Sequence, residues 1–211
     1  MKEDDILKTG TTTVGIVCKD CVILAADKRA TAGNFIAMKH VDKVVPVNNR
    51  MAVTTAGSVS DLQLIIKLLK AELNLKTIRV DRDITVTEAA NLLGNIVYNN
   101  IRKMSMIPGV THFLLGGVDT KSKLYDLYAD GSITEVDDFV GSGSGSVIAY
   151  GVLESSYKTD MSEEEGVELA LKSINAALQR DSASGGGIDV YVINKDGVKN
   201  VAHKKVNSKA V

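Results

Sequence analysis

An α+β fold, two antiparallel sheets stacked face to face with helices on both outer faces, is what the sequence predicts. Three observations carry it. The elements come in the order strands, two helices, strands, two helices, strands. Residues 22–26 and 52–56 are apolar or small without alternation, the pattern of strands covered on both faces. The 211 residues contain no low-complexity linker and no fixed-period repeat, so one domain suffices.

The first quarter reads as strands near residues 11–18, 21–28, 34–38, 43–46 and 51–55, broken by turn residues at Lys19-Asp20, Ala32-Gly33 and Asn48-Asn49. Ser58 and Ser60-Asp61 are cap candidates for a helix whose apolar positions, Leu62, Ile65, Ile66, Leu69 and Leu73, recur at spacings of three and four. Thr87, with Glu88 beside it, opens a second helix through Ala90, Leu93, Ile96, Val97 and Ile101, and Pro108-Gly109 ends that region. Strands follow at 110–118, 123–129 and 132–136, with turns at 119–122 and Asp130-Gly131. A helix over about 147–155 precedes one that begins at the capping box Ser162-Glu163-Glu164-Glu165 and carries the stripe Val167, Ala170, Leu171, Ile174 and Leu178. The glycine run at 185–187 stops it, and strands at 188–193 and 198–202 are joined by the turn 194–197.

Composition sets limits on function. With 45% hydrophobic and 24% charged residues a packed core is expected and disorder is not. A net charge of −1 argues against a nucleic-acid or anionic-membrane partner held by a global field, and the absence of tryptophan with only 4% aromatics argues against base stacking. Residues 1–10 are polar and partly acidic, without the apolar stretch of a secretory signal, and no run is long enough to span a bilayer, so the expected location is cytoplasmic. Cys18 and Cys21 form a C-x-x-C. A metal site lacks a second cysteine pair, with His40, His112 and His203 dispersed, and a redox pair calls for a helix N-terminus. The flanks are strands, so buried thiols around a two-residue turn are the expectation.

The chemistry-bearing feature is the junction Gly10-Thr11 within Lys8-Thr9-Gly10-Thr11-Thr12-Thr13-Val14-Gly15. A threonine hydroxyl is a poor nucleophile and needs a nearby base. A chain cut after Gly10 would carry on Thr11 both the hydroxyl and a free α-amine of reference pKa about 7.7–8.0, roughly a tenth neutral at pH 7. The bland alternative is a strand start rich in β-branched residues. Five further segments fit the same chemistry: Asp27-Lys28-Arg29 ending a strand, Lys43 beginning one, Thr54-Thr55-Ala56-Gly57-Ser58 at a strand-to-helix junction, Gly141-Ser142-Gly143-Ser144-Gly145 opening a helix, and Arg180-Asp181-Ser182-Ala183-Ser184-Gly185 closing one. Singly, Asp27 and Lys43 read as strand-end charges, Gly57 as a turn, and the Gly-Ser run as a flexible loop. No Gly-Lys-Ser/Thr follows that run, so a phosphate cradle is disfavoured. Asp181 lies in a C-terminal turn, where the helix dipole disfavours a carboxylate, which points to a specific partner.

Together, residues 10–16, 27–31 (Asp-Lys-Arg-Ala-Thr), Ala56-Gly57-Ser58, 141–144, Gly151-Val152-Leu153-Glu154 and 179–186 (Gln-Arg-Asp-Ser-Ala-Ser-Gly-Gly) resemble the β subunit of the proteasome, the archaeal type above all, over about residues 10–202. The resemblance implies an N-terminal-nucleophile hydrolase fold, a four-layer αββα sandwich, in agreement with the element order. It implies a propeptide of residues 1–10 removed autocatalytically at Gly10-Thr11, and a single peptidase domain over 11–211. It further implies Thr11 as nucleophile and its freed α-amine as base, through a water. Lys43 lies beside Thr11 and lowers the amine pKa, and Asp27 pairs with Lys43. The Gly57 N–H is the oxyanion donor, and Ser142, Asp181 and Ser184 hold the amine and its water. The specificity pocket is implied at Ala30, Thr31 and Thr55. The implied partners are other β subunits in a heptameric ring, α subunits, and unfolded polypeptides delivered by an unfoldase; no metal or organic cofactor is implied.

Some positions depart from that pattern. Thr55 replaces the larger apolar residue common there, which predicts a roomier, slightly polar pocket. Gly145 replaces a frequent proline, and residues 104–113 lack the usual aromatics. Two other functions fit part of the sequence: a catalytically idle structural β subunit, and an N-terminal-nucleophile amidase for small molecules.

Overall fold

The computed structural model describes residues 10–106 and 109–204. The strands are β1 (Thr13–Val17), β2 (Val22–Asp27), β3 (Ala30–Ala32), β4 (Phe35–Met38), β5 (Val44–Asn48), β6 (Met51–Gly57), β7 (Thr111–Val118), β8 (Ser122–Leu127), β9 (Ile133–Val136), β10 (Phe139–Ser142), β11 (Ile188–Asn194) and β12 (Gly197–Lys204); the helices are α1 (Val59–Val80), α2 (Val86–Ile101), α3 (Ser146–Ser156) and α4 (Glu163–Arg180). Two five-stranded sheets result, β10-β1-β2-β11-β12 and β5-β6-β7-β8-β9, with β3-β4 as a separate ribbon. Every pairing is antiparallel.

Three apolar clusters show the layering. Val22, Leu24, Ala52, Leu114, Leu124 and Ile193 fill the space between the sheets. Val14, Ile16, Ile23 and Val190 turn the other way, against Leu153 of α3 and Leu169, Ala170 and Ile174 of α4. Val53, Phe113, Leu115 and Leu127 meet Ile65, Leu69 and Leu73 of α1 and Leu93 and Val97 of α2. Central strands thus bury alternate side chains in different layers, which is why residues 22–26 and 52–56 carry no polar alternation. The four-layer αββα expectation holds.

Differences from the sequence reading are local. α2 is capped by Thr85, not opened by Thr87: Glu88 N donates to Thr85 Oγ1 at 3.2 Å and Thr85 N donates to Glu88 Oε2 at 3.0 Å, a closed capping box. The box expected at Ser162 forms with Glu165. α4 ends at Arg180, ahead of the glycine run, because Asp181 leaves the helix in an extended conformation. β3 and β10 are additional strands, and Gly141 and Ser142 finish β10 instead of opening a helix. The Pro108 stop and the structure of residues 1–9 lie outside the described residues.

Candidate functional site

β1 and β2 pair with Thr13 opposite Ala26, so Thr12 and Asp27 face each other where the pair ends: Asp27 N donates to Thr12 O at 3.0 Å. The buried Asp27 carboxylate accepts four hydrogen bonds. Oδ1 takes Thr12 N (2.9 Å) and Lys43 Nζ (2.6 Å); Oδ2 takes Arg29 N (3.0 Å) and Gly185 N (2.9 Å). A buried carboxylate survives only when so satisfied.

Lys43 immediately precedes β5, and its carbonyl accepts from Thr55 N (2.9 Å) and Thr55 Oγ1 (3.2 Å). Its side chain is 5% exposed, and its ammonium bridges Asp27 and Thr11 Oγ1, the latter at 2.7 Å. Burial lowers the Lys43 pKa below the ordinary lysine value; Asp27 and, more weakly, Asp181 oppose that shift, and Arg29 adds to it.

Thr11 carries an acylated nitrogen here, because Gly10 precedes it. That amide donates to Ser144 Oγ at 3.3 Å, and Ser144 Oγ donates to Asp181 Oδ2 at 2.7 Å. Asp181 also accepts from Ser184 Oγ (2.6 Å) and Ala183 N (3.1 Å), while Thr12 Oγ1 and Ser184 Oγ are 2.7 Å apart. A carboxylate at the C-terminal end of α4 is therefore held by three donors, which answers the unfavourable helix dipole.

Ser142 is not at this cluster. It pairs with Thr13 inside the sheet, and its hydroxyl lies 2.7 Å from His112 Nδ1, with His112 Nε2 hydrogen-bonded to Asp126. The turn at Gly143, φ 90°, separates the two serines and brings Ser144 to Thr11. Nothing in a Gly-Ser-Gly-Ser-Gly run distinguishes them; only the position of the turn does.

A cavity of about 160 Å³ opens beside Thr11, lined by Gly10, Thr11, Ala30, Thr31, Lys43, Thr55 and Gly57 among others. Gly10 N donates to Thr31 Oγ1 at 3.0 Å, and a Cβ on Gly10 would overlap Ala183 Cβ, so no other residue fits without movement. Gly57 has φ 121°, and a Cβ there would overlap the Val110 carbonyl. Asp42 and Ala56 also line it, and Val41, Val45, Val59, Leu62, Gln63 and Ile66 complete the wall. The sequence pattern assigns these no role at a site, although Leu62 and Ile66 fall in the α1 apolar stripe. Among the described residues no helix is long and apolar enough to cross a membrane, and no group of three His, Cys, Asp or Glu is placed to hold a metal.

The sequence pattern of a family described as "Proteasome subunit" matches residues 7–193. The chain belongs to the proteasome subunit family. It is 48% identical to a protein called "Proteasome subunit beta" from Ferroglobus placidus, across 92% of this chain and 91% of that one. Proteins of the same name from Methanocaldococcus jannaschii and Archaeoglobus fulgidus are each 47% identical, covering 92% and 93% of this chain and 86% and 90% of their own. These are archaeal β-type relatives, as the segments quoted above led one to expect. The two sheets between helix layers are the N-terminal-nucleophile hydrolase architecture of this proteasome family.

Proposed function

We propose that this chain is a threonine endopeptidase subunit of a proteasome core, made as a precursor and activated by cutting its own Gly10–Thr11 bond. The observation that carries the reading is the Lys43 ammonium, 2.7 Å from Thr11 Oγ1 and 2.6 Å from Asp27. In the precursor the Thr11 nitrogen is an amide and cannot act as a base. Lys43 is the titratable nitrogen that touches the hydroxyl, and burial favours its neutral form. Thr11 Oγ1 attacks the Gly10 carbonyl, the C–N bond breaks, the nitrogen takes up the proton, and an ester links Gly10 to Thr11. Water then hydrolyses the ester, releasing residues 1–10 and leaving Thr11 with a free amine.

In the processed enzyme the Thr11 amine takes over as base through a water, held by Ser144, which already accepts from that nitrogen in the precursor, and by Asp181, which accepts from Ser144. Ser184 supports Asp181. Lys43, held on Asp27 before and after processing, when charged disfavours a second cation and so lowers the amine pKa. The hydroxyl attacks a substrate peptide bond, the leaving amine takes the proton, and water hydrolyses the acyl-threonine. The Gly57 N–H serves the developing oxyanion, the kind of preorganised donor worth about 2.7–4 kcal/mol. Ala30, Thr31 and Thr55 line the pocket for the residue before the scissile bond, where Gly10 lies before processing.

The relatives named as β subunits support assembly in the proteasome core with α subunits; a heptameric β ring, a cytoplasmic location and unfolded polypeptides as substrates complete the reading. The test compares wild type with Thr11→Ala, co-expressed with an α subunit. The reading expects peptide hydrolysis and loss of residues 1–10 in wild type, and neither in the variant. Hydrolysis by Thr11→Ala would overturn it.

A further inference from the structure

The Asp27–Lys43 pair has a crossed twin. β2 leaves the sheet through Asp27 and Lys28, and Asp42 and Lys43 lead into β5. While Asp27 binds Lys43, Lys28 Nζ binds Asp42 at 2.8 Å. Lys28 Nζ also binds Asp189, in β11, at 2.6 Å. Lys28 and Asp189 are buried, whereas the Asp42 side chain is 75% exposed. Burial works against the Lys28 charge, but Asp189 and Asp42 outweigh it and raise its pKa.

The main chain repeats the connection. Val41 N donates to Lys28 O at 2.8 Å, and Lys28 N donates to Gly185 O at 2.9 Å, next to the Gly185 N–H that holds Asp27. Residues 41–43 are thus held by Thr55 on one side, through the Lys43 carbonyl, and by Lys28 on the other, through Val41 and Asp42. A lysine side chain is long and flexible; reaching a nucleophile and a carboxylate together requires a fixed Cα. The catalytic proposal uses Lys43 but gives Lys28 no part.

We propose that Lys28 is a positioning residue: by joining Asp42 to Asp189 it fixes residues 41–43 so that Lys43 reaches Asp27 and Thr11 at once. This rests on the reading that Thr11 and Lys43 carry out the chemistry. Lys28 touches neither substrate nor reacting atoms, so its loss acts on turnover through Lys43.

The experiment compares full-length wild type, Thr11→Ala, Lys28→Met, Lys28→Arg and Asp42→Asn, each assembled with an α subunit. Gly10–Thr11 cleavage is followed by intact mass, and kcat and KM for a neutral fluorogenic peptide are referred to processed chains. Lys28→Met is expected to lower kcat about ten- to a hundred-fold with KM changed less than about two-fold. Lys28→Arg keeps charge and reach and is expected to recover most of the rate. Because Lys28→Met leaves Asp189 buried without this cation and can fail to fold, Asp42→Asn, at an exposed carboxylate that also lines the cavity, gives a second reading: a kcat about three-fold lower, whatever its KM. Wild-type kcat in a folded Lys28→Met, or in Asp42→Asn where Lys28→Met does not fold, overturns the proposal. So does a loss of kcat that Lys28→Arg leaves unrepaired. Peptide hydrolysis by Thr11→Ala would instead overturn the functional reading itself.

Discussion

The two ends of the β1–β2 pair are both buried, and they differ in where their partners come from. At the turn, Cys18 N donates to Cys21 O at 2.9 Å and the two reduced thiols hydrogen-bond to each other, which lowers the pKa of Cys18 and raises that of Cys21. These partners lie three positions apart. At the open end, Thr12 and Asp27 bind Lys43, Ser184 and Gly185, and the Thr12–Ser184 contact spans 172 positions. A turn closes itself with local bonds. A cluster assembled from four separate segments needs the whole fold, and its ion pair is a demanding arrangement to bury. Polar burial by itself therefore does not separate the C-x-x-C from the Thr11 cluster; convergence from distant segments does.

The contrast breaks most severely at Lys43. Lys43→Met is expected to reduce both leader removal and peptide hydrolysis by about a thousand-fold, within the range for loss of acid–base catalysis. Lys43→Arg sharpens the point, because a guanidinium keeps the charge but has no accessible neutral form; leader removal should stay as slow as in Lys43→Met, as read by intact mass over time. The same assay against pH tests the base. Burial lowers the Lys43 pKa, so the neutral fraction, and the rate of self-cleavage, should rise with pH through a limb below 10.5 and then level off. A rate that falls over that limb contradicts a neutral Lys43.

Gly10→Val comes next. Its side chain would collide with Ala183, so cleavage at residue 10 should slow by about a hundred-fold, visible as accumulated full-length chain. The two serines then separate the cluster from its surroundings. Ser144→Ala should lower peptide hydrolysis about ten-fold, while Ser142→Ala, which disturbs only the link to His112, should stay within about two-fold. At the turn, Cys21→Ala should leave kcat unchanged and cost about 1–2 kcal/mol of stability in chemical denaturation, the usual effect of trimming a buried side chain.

Most of the fold is legible in the sequence because its elements are long or strongly patterned. The 22-residue α1 and the 18-residue α4 show their apolar stripes, and β2 and β6 read as covered strands. β3 and β10 are three and four residues long, too short for a period, and exist through pairing with β4 and β1. Thr85, not Thr87, is the cap, because its reciprocal partner Glu88 lies three positions on, whereas Thr87 is only adjacent to it. At the site, Asp27, Lys43 and Asp181 are visible as segments but not as parts of one cluster; their convergence follows from sheet register and from the turn after α4. The choice between Ser142 and Ser144 depends on one positive φ at Gly143, and the crossed partner of Asp27–Lys43 depends on β2 and the entry to β5 running side by side.

The most direct test is the N-terminal residue of the wild-type chain recovered as an active peptidase, read by intact mass and by sequencing its first residues. An N-terminus at Thr11, with hydrolysis appearing in step with it, is the predicted result. Full hydrolytic activity from chains that still carry residues 1–10 would contradict it, since the Thr11 nitrogen would then be an amide.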